Sequence, residues 1–324
     1  MLLAGCSPGR VQQGPRVRIA VGGQAQLVYL PLTLAERLGY FRDEGIEVTL
    51  FDFPGGAKAL EAMLGGSADV VCGFYDHTVQ MTAEGKPMVA FVSLLRYPGL
   101  VLAVSPAAQR KVASIQDLRG AVVGVSAPGS STHMLVKYLL DKNGVAPDAA
   151  SIVGIGMSAG AVAAMERGKV DAAVMAEPAL SQLQARKGPV RLLADLRTPE
   201  GVKEVYGVRN YPASVLYSST KWVEGNQELA LRLARAMRRT LEWIGTHNAA
   251  QIAQAMPERF RGEDMPMYVQ AIEQSKGMFS PDGVMAPESA VAAAAVMARL
   301  LEKVRVTKVD PAQTYTNRLL QAGR

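Results

Sequence analysis

An internal repeat restricts the fold of this chain more than any other feature of the sequence. The segment EAMLGGSADVV, which starts at Glu61, has a counterpart in AAMERGKVDAAV, which starts at Ala163. Asp69 of the first copy corresponds to Asp171 of the second, and the Ala-Met pair and the Gly that precede each Asp also recur. Two copies are too few for a solenoid, so the repeat predicts two similar structural units rather than an array.

The hydrophobic pattern around each copy predicts the same order of elements. The first unit reads as strand, helix, strand, helix and strand from VRIAVGG to ADVVCGF, and the second repeats this order from AVVGV to DAAVMAE. Apolar strands that alternate with amphipathic helices form a parallel sheet covered by helices. Since 324 residues suffice for two such domains, the sequence predicts an α/β protein with two lobes.

Two further apolar segments are predicted to connect the lobes. GLVLAVS, at residues 99–105, follows the first lobe, and YPASVLYSS, at residues 211–219, follows the second. Two strands that cross between the lobes would form a hinge. The segment after Lys221 is predicted to be helical and to pack back on the first lobe, because its apolar residues recur every three or four positions. The predicted domains are lobe 1 at residues 16–101 and 216–324, and lobe 2 at residues 102–215.

Composition argues against several functional classes. The 35 Lys and Arg residues exceed the 29 Asp and Glu residues, which gives a formal net charge of +6, but they are scattered along the chain. No basic patch for nucleic acid is therefore predicted. The 2 Cys and 3 His residues lack the spacing of a zinc site, so we predict no metal, no cofactor and no disulfide framework. No apolar run reaches the roughly 18 residues of a membrane-spanning helix.

The first residues, MLLAGCSPG, resemble the end of a bacterial lipoprotein signal. Leu3-Ala4-Gly5-Cys6 matches a lipobox, although the basic and apolar regions that would precede it are truncated. The resemblance implies that Cys6 is lipidated and anchors the protein to a membrane, and that residues 1–15 combine a truncated signal with a tether. The alternative is an incidental cysteine in a frayed terminus.

Several longer motifs together resemble a known family. YLPLTLAERLGYFRDEGIEVTL, FPGGAKALEAMLGGSADVV, VSAPGSSTHMLVKYLLDKNGV and VDAAVMAEP are similar to the extracytoplasmic solute-binding proteins of ABC importers, of the nitrate/sulfonate/taurine type. The resemblance covers about Val17 to Lys221, and thiamine-pyrimidine-precursor synthases share the fold. It implies a type II periplasmic-binding-protein fold, with two α/β lobes, two crossover strands and one ligand site in the cleft between the lobes.

The same resemblance implies a way of working. The lobes would close around a small-molecule ligand by hinge motion and then deliver it to the ABC permease subunits in the membrane. The protein is expected to be a monomer, in the periplasm or lipid-anchored at the outer face of the cytoplasmic membrane.

Candidate ligand-binding residues follow from the predicted sheets. Ligands of parallel sheets bind beyond the carboxyl ends of the strands, where helix N-termini with unpaired N–H groups attract carboxylate, sulfonate or phosphate groups. Three segments meet both conditions. In GGQAQLVY, Gln24 and Gln26 offer amides and Tyr29 a ring and a hydroxyl, although the segment could be a plain surface loop.

The second segment, SAPGSSTHM, combines a glycine with several hydroxyls. Ser126 precedes Gly129, which permits close approach of the backbone, and Ser130, Ser131 or Thr132 could cap a helix and bind a ligand oxygen. The alternative is an ordinary helix cap. It is not a Walker loop, because the Gly-Lys-Ser/Thr motif is missing. The third segment, FPGGAKA, opens a helix at Gly55 and Gly56, or else forms only a tight turn.

Two strand ends add further side chains. GFYDHT follows the third strand of lobe 1 and would place Phe74, Tyr75, Asp76 and His77 near the cleft, where the rings could stack on a planar ligand. The alternative is that Asp76 caps the next helix and His77 points into it.

The last strand of lobe 2 would place Glu177 at the cleft, where it could accept a hydrogen bond from an amino group or a ring N–H. Met157 and Ser158, which follow the preceding strand, could line the same wall.

Three functions are compared. A transport binding protein is favoured, with no catalytic residues and a ligand such as an alkyl or aryl sulfonate, an aromatic carboxylate or a pyrimidine. The first alternative is a pyrimidine-precursor synthase-like enzyme, but its cysteine-rich iron-binding run is missing and Cys72 is a lone strand cysteine. The second alternative, a sensory domain of a regulator, lacks any separate helix-turn-helix segment.

Overall fold

We describe a computed structural model of residues 14–321. Residues 1–13, which include Cys6 and most of the predicted signal and tether, lie outside the described residues. The lipidation of Cys6 therefore stays a prediction. Within residues 14–321, no helix is long and apolar enough to cross a membrane.

The first lobe is built on a five-stranded sheet with the order β2-β1-β3-β10-β4. Strand β1 pairs in parallel with β2 and β3, whereas β10 runs antiparallel to both β3 and β4. The strands are β1 (Arg16–Val21), β2 (Glu47–Asp52), β3 (Val70–Phe74), β4 (Met88–Ser93) and β10 (Ser214–Ser219).

The second lobe repeats this topology in a second five-stranded sheet with the order β7-β6-β8-β5-β9. Here β6 pairs in parallel with β7 and β8, and β5 runs antiparallel to β8 and β9. The strands are β5 (Leu100–Val104), β6 (Val122–Val125), β7 (Ser151–Gly154), β8 (Ala172–Ala176) and β9 (Leu192–Asp195).

The helices cover the faces of both sheets. Those of the N-terminal part are α1 (Leu30–Arg37), α2 (Tyr40–Asp43), α3 (Gly56–Leu64) and α4 (Asp76–Ala83). Those of the second lobe are α5 (Ser131–Lys142), α6 (Ala159–Glu166), α7 (Ala179–Lys187) and α8 (Pro199–Tyr206). The C-terminal part contains α9 (Thr220–Gly225), α10 (Gln227–Thr246), α11 (Ala249–Ala255), α12 (Glu258–Arg261), α13 (Met265–Ser275), α14 (Pro287–Leu300), α15 (Glu302–Thr307) and α16 (Arg318–Gln321).

The chain passes twice between the lobes, once before β5 and once before β10, so the two predicted crossovers are present. All of β5 pairs in the second sheet although it follows β4 of the first, and all of β10 pairs in the first sheet although it follows β9 of the second. The predicted domain limits at residues 102 and 216 therefore fall inside β5 and β10. We propose limits at the connections between the lobes, residues 94–99 and 207–213.

The C-terminal helices pack mainly on the first lobe. Helix α10 contacts α1, α2 and β4, and helices α14 and α15 contact α4. The amphipathic spacing explains this packing, since Leu233, Met237 and Leu241 of α10 are buried on one face. Helix α14 also contacts α5, so that this part of the first lobe reaches the second lobe.

Candidate ligand-binding cleft

The carboxyl ends of the parallel strands in the two sheets face each other across a narrow cleft. A cavity of about 20 Å³ remains between the lobes, which is room for little more than one water molecule. Its walls come from the first lobe, the second lobe and the crossing strand β5: Gly22, Gln26, Tyr29, Gly56, Phe74, Leu100, Ser126, Ser130, Ser131, Thr132 and Met157.

Two helix N-termini meet at this cavity from opposite lobes. Helix α3 starts at Gly56 in the first lobe and α5 starts at Ser131 in the second. The Ala57 N–H donates to the Ser130 Oγ across the cleft at 3.0 Å. Because the first N–H groups of a helix have no intrahelical partner, both helices present amides and a partial positive charge to the same small space.

Glycines permit this close approach. A Cβ added to Gly55 would lie 2.7 Å from the Ser126 Oγ of the other lobe, and one added to Gly22 would lie 2.5 Å from the Gly56 nitrogen. A side chain at Gly55 would hold the two lobes apart. A side chain at Gly22 would hold the loop after β1 away from the start of α3. The Gly-rich segments of the sequence therefore correspond to contacts between backbones at the cleft.

Hydroxyl groups order the loop that leads into α5. The Thr132 Oγ1 accepts a hydrogen bond from the Ser126 N–H at 3.0 Å and lies 2.9 Å from the Ser126 Oγ. Gly129 has a φ of 84°, in the left-handed region that favours glycine, and its N–H donates to the His133 Nδ1 at 3.1 Å. This turn directs the Ser130 and Ser131 side chains toward the first lobe.

The lobes are closed on each other by direct hydrogen bonds. The Ser131 Oγ donates to the Asp76 Oδ1 at 2.6 Å, and the Leu27 N–H donates to the Glu177 carbonyl oxygen at 2.9 Å. Together with the bond from Ala57 to Ser130, these contacts join three separate segments of the first lobe to the second.

The sequence of residues 26–250, more than half of the chain, matches the family described as NMT1/THI5 like. The chain belongs to the NMT1/THI5-like family. A protein of Bordetella bronchiseptica RB50 with a solved structure is 39% identical to it, covers 96% of this chain and 97% of its own, and superimposes with a TM-score of 0.92.

Two further relatives of this NMT1/THI5-like chain share less of its sequence. The "Putative binding protein YtlA" of Bacillus subtilis is 23% identical over 265 residues, which is 80% of this chain and 76% of YtlA. The alkanesulfonate-binding protein SsuA from Xanthomonas axonopodis pv. citri, solved with MOPS, is 19% identical, covers 95% of this chain and 100% of its own, and gives a TM-score of 0.72. The predicted periplasmic-binding-protein fold and the predicted family resemblance are thus confirmed.

One relative is an enzyme. The 4-amino-5-hydroxymethyl-2-methylpyrimidine phosphate synthase of Schizosaccharomyces pombe is 27% identical over 146 residues, or 44% of this chain. The match spans 40% of that enzyme, so it covers only part of either protein.

Nine of the residues predicted to bind ligand line the first cavity between the lobes. They are Gln26, Tyr29, Gly56, Phe74, Ser126, Ser130, Ser131, Thr132 and Met157. Gly55 and Gly129 shape the two loops beside it, and Asp76 reaches Ser131 from the first residue of α4. The alternative in which Asp76 caps α4 does not describe this geometry, because Tyr75 holds the N-cap position and makes no side-chain cap bond.

Four other predicted residues lie away from this cavity. The Gln24 side chain donates to the Thr33 Oγ1 inside the first lobe, and the Tyr75 hydroxyl bonds the Thr314 Oγ1 in the C-terminal segment. The His77 Nδ1 lies 3.3 Å from the Tyr217 hydroxyl in the core. Ser158 is the N-cap residue of α6, without a side-chain cap bond. The structure therefore does not bring these four side chains to the cavity walls.

Glu177 is also directed elsewhere. Its carboxylate accepts from the Ser181 N–H at 3.1 Å and from the Arg197 guanidinium at 3.2 Å, and Arg197 is also held by Asp195 at 2.6 Å. The hydrogen bond that Arg197 donates to the Asp195 carboxylate raises the pKa of Arg197, against the effect of burial. Only the Glu177 backbone takes part in closure, and Arg197 is an arginine near the lobe junction that the sequence analysis did not identify.

A second cavity adjoins the first and contains residues that the sequence analysis did not identify. It also measures about 20 Å³ and shares Phe74, Leu100 and Ser131 with the first cavity. Its other walls are Asp76, Pro98, Met134, Leu135, Tyr206, Tyr211, Pro212, Val296 and Met297. These residues come from five separate parts of the chain, and no local pattern in the sequence marks them as neighbours.

Cys72 lies buried in β3. Burial raises the pKa of its thiol to about 12, only partly opposed by a contact with the Ser214 hydroxyl. Within residues 14–321, no group of three or more His, Cys, Asp or Glu side chains could hold a metal ion.

Proposed function

We propose that the protein is the solute-binding component of an ABC importer, which captures a small organic ligand between its lobes and delivers it to a membrane permease. The observation that carries this proposal is the pair of facing helix N-termini at Gly56 and Ser131. Each helix belongs to a different lobe, so a ligand bound to both would hold the cleft closed.

The comparisons support this proposal. YtlA bears the name of a binding protein, and structures that share the fold include the alkanesulfonate-binding protein SsuA and the nitrate-binding protein NrtA of Synechocystis. Hinge closure of two lobes around a ligand is the expected motion of this architecture.

The cleft favours a ligand with one oxyanionic or polar planar group. Helix amides and the hydroxyls of Ser130, Ser131 and Thr132 suit a sulfonate or carboxylate, and the rings of Tyr29 and Phe74, in an edge-on arrangement, suit a planar body such as an aryl group or a pyrimidine. Among the described residues, no Lys or Arg lines either cavity, so a doubly charged inorganic anion is a poorer match.

An enzyme of the pyrimidine-precursor synthase type is the alternative, because a synthase of Schizosaccharomyces pombe matches part of the sequence. The lone Cys72 does not support it, since a thiol with a pKa of about 12 stays protonated and is a poor nucleophile and metal ligand.

The proposed partners and location follow from the importer function. We propose a monomer that acts in the periplasm or at the outer face of the cytoplasmic membrane, contacts ABC permease subunits, and is anchored through a lipid on Cys6. Mass spectrometry of the protein from its native membrane fraction tests the anchor, because a lipid adds a defined mass to the N-terminal peptide that contains Cys6.

A thermal-shift screen of sulfonates, carboxylates and pyrimidines tests the proposed function, because a ligand that binds only the folded protein raises its melting temperature. For the best ligand, the double variant Ser130→Ala, Ser131→Ala is expected to bind about tenfold or more weakly in calorimetry. The loss of two hydroxyl hydrogen bonds, at about 1 kcal/mol each, accounts for this change.

Ser67→Ala is the matched control, because Ser67 is exposed on the turn before β3. It is expected to leave the affinity unchanged, and the melting temperature of the double variant without ligand is expected to change little. An undiminished affinity of the double variant would remove the Ser130 segment from the site. A screen without any stabilising compound would contradict the proposed function.

A further inference from the structure

The second cavity lies directly beyond the hydrogen bond that joins Ser131 to Asp76. The two cavities share three wall residues, so they form two compartments of one cleft, with this hydrogen bond between them. The bond joins opposite lobes, and it breaks when the lobes separate. A ligand that enters the open cleft can therefore reach both compartments before closure.

The second compartment presents polar oxygens that the protein leaves without partners. Asp76 is only 8% exposed, and the hydrogen bond that its carboxylate accepts within residues 14–321, from Ser131, goes to Oδ1 and leaves Oδ2 available. Tyr206 and Tyr211, whose rings stack with centroids 3.9 Å apart, line the same cavity, and their hydroxyls make none of the hydrogen bonds within residues 14–321. These three oxygens are not sealed in the core, since the fully buried side-chain nitrogen and oxygen atoms without a partner in residues 14–321 are His77 Nε2 and the Tyr268 hydroxyl oxygen. Asp76, Tyr206 and Tyr211 all line the same cavity, so a ligand bound there can complete the hydrogen bonds of these oxygens.

The only charged side chain that lines the second compartment among residues 14–321 is the Asp76 carboxylate, which is negative. Among residues 14–321, no Lys or Arg lines this cavity, and the favourable features near the Asp76 carboxylate are the Ser131 hydroxyl and the N-terminus of α4. A buried carboxylate without a counterion is costly. Burial raises the pKa of both Tyr206 and Tyr211, so their hydroxyls stay neutral and can accept a hydrogen bond.

We infer that the ligand has two different ends: an oxyanion held by the helix N-termini of α3 and α5, and a protonated or N–H-bearing nitrogen held by Asp76, Tyr206 and Tyr211. This inference rests on the proposed function and specifies the ligand. The apolar walls between the two ends, Phe74 and Leu100, fit an aromatic or alkyl spacer.

The two compartments differ in electrostatic character, and this difference gives selectivity. The helix amides repel a cation, and the Asp76 carboxylate repels an anion, so a ligand with both charges binds in a single orientation. A simple alkyl sulfonate or benzoate occupies only the first compartment and leaves Asp76 buried and unpaired.

The experiment compares two probes of nearly equal shape by titration calorimetry with the full chain. These are 4-(aminomethyl)benzenesulfonate and 4-ethylbenzenesulfonate, with 4-(aminomethyl)benzoate and 4-ethylbenzoate as the carboxylate pair. The aminomethyl member of a pair is expected to bind about tenfold tighter or more, because hydrogen bonds to a charged group contribute about 1.5–3 kcal/mol.

Variants of Asp76 locate the effect. Asp76→Asn keeps the size of the side chain but removes its charge, and it is expected to abolish the preference for the aminomethyl probe while the ethyl probe still binds. Tyr211→Phe is expected to reduce the preference about threefold, because it removes one neutral hydrogen-bond partner. Asp148→Asn is the matched control, since Asp148 is 84% exposed on the second lobe.

The outcomes separate this inference from the proposed function. Equal affinity of the two probes for the wild type, or a preference that persists in Asp76→Asn, would overturn the two-ended ligand while the importer function stands. A lack of binding by all four probes, when another compound from the thermal-shift screen binds, would also overturn it. If no compound binds at all, both proposals fail.

Discussion

At the scale of single residues, the two aspartates of the internal repeat have equivalent roles. The Asp69 carboxylate accepts a hydrogen bond at 2.9 Å from the backbone N–H of Arg18 in β1, and the Asp171 carboxylate accepts one at 2.8 Å from the N–H of Val122 in β6. Each aspartate directly precedes the central strand of its sheet, β3 or β8, and binds the neighbouring parallel strand, β1 or β6. The repeat therefore preserves a bond that fixes the register of β3 on β1 and of β8 on β6.

The charge of Asp69 makes this bond dependent on pH. Desolvation raises the pKa of Asp69, but hydrogen bonds from the Arg18 side chain and N–H and the Arg18 charge outweigh it, so that the pKa is lowered overall. A carboxylate with a lowered pKa in the folded state stabilises the protein above its unfolded pKa of about 3.9, and this stability is lost as the pH falls further.

Asp69→Asn is therefore expected to lower the free energy of unfolding by about 1 kcal/mol at pH 7, and by less as the pH falls below about 4. Urea denaturation between neutral and acidic pH measures the difference between wild type and variant. Asp148→Asn, which removes an exposed ion pair, is expected to change the stability by less than about 0.5 kcal/mol. A difference at Asp69 that stays constant over this pH range would contradict the charge-based explanation.

The residues of the first cavity could be predicted from sequence better than those of the second. Ser126, Ser130 and Thr132 follow a buried strand and precede a helix, and this local pattern places them at the end of a parallel sheet. Tyr206 and Tyr211 lie at the end of α8 and in the return to the first lobe, so only the folded chain brings them to Asp76. Glu177 follows a buried strand as well, yet Arg197 binds its carboxylate and directs it away from the first cavity.

At the scale of elements, α10 is the longest helix among the described residues and anchors the C-terminal part of the chain. Its buried face contacts α1, α2 and β4 of the first lobe. The sequence predicted this helix and its inward face, because Leu, Met and Ile recur at helical spacing. The contacts of α14 with α5 could not be predicted, since they depend on how the lobes are arranged in space.

Leu233→Ala should therefore destabilise the protein strongly. Leu233 is fully buried on α10, and the loss of its side chain leaves a cavity that costs about 2–5 kcal/mol. Val291→Ala on α14 is the control, because Val291 is 57% exposed and its loss should cost less than about 0.5 kcal/mol. Chemical denaturation followed by circular dichroism measures both, and a Leu233→Ala cost as small as that of the control would show that this face is not part of the core.

At the scale of the whole molecule, closure depends on how near the lobes approach each other. The three nearest atoms to a Cβ added at Gly55 all belong to Ser126 and Ser130 of the opposite lobe. Gly55 has an extended backbone that any residue adopts, so a side chain there affects closure rather than the fold of the first lobe.

Gly55→Ala is expected to leave the melting temperature without ligand nearly unchanged and to weaken ligand binding about tenfold. Overpacking by one methyl group costs about 1–3 kcal/mol, and here the cost falls on the closed state alone. Calorimetry gives the affinity, and X-ray scattering should show a smaller ligand-induced decrease in the radius of gyration. Gly245→Ala in α10, where an added Cβ meets no atom within 4 Å, should bind ligand as the wild type does. Normal affinity of Gly55→Ala would contradict the closed cleft described above.

The order of the strands also has a consequence for protein engineering. Strands β5 to β9 follow one another without interruption and make up the whole second sheet, whereas the described ends of the chain both lie in the first lobe. The second lobe is thus an insertion between β4 and β10, which neighbour each other in the first sheet. The segment between these two strands could therefore be exchanged as one piece between related proteins. Such an exchange would replace one wall of the ligand cleft and leave every strand pairing of the first sheet intact.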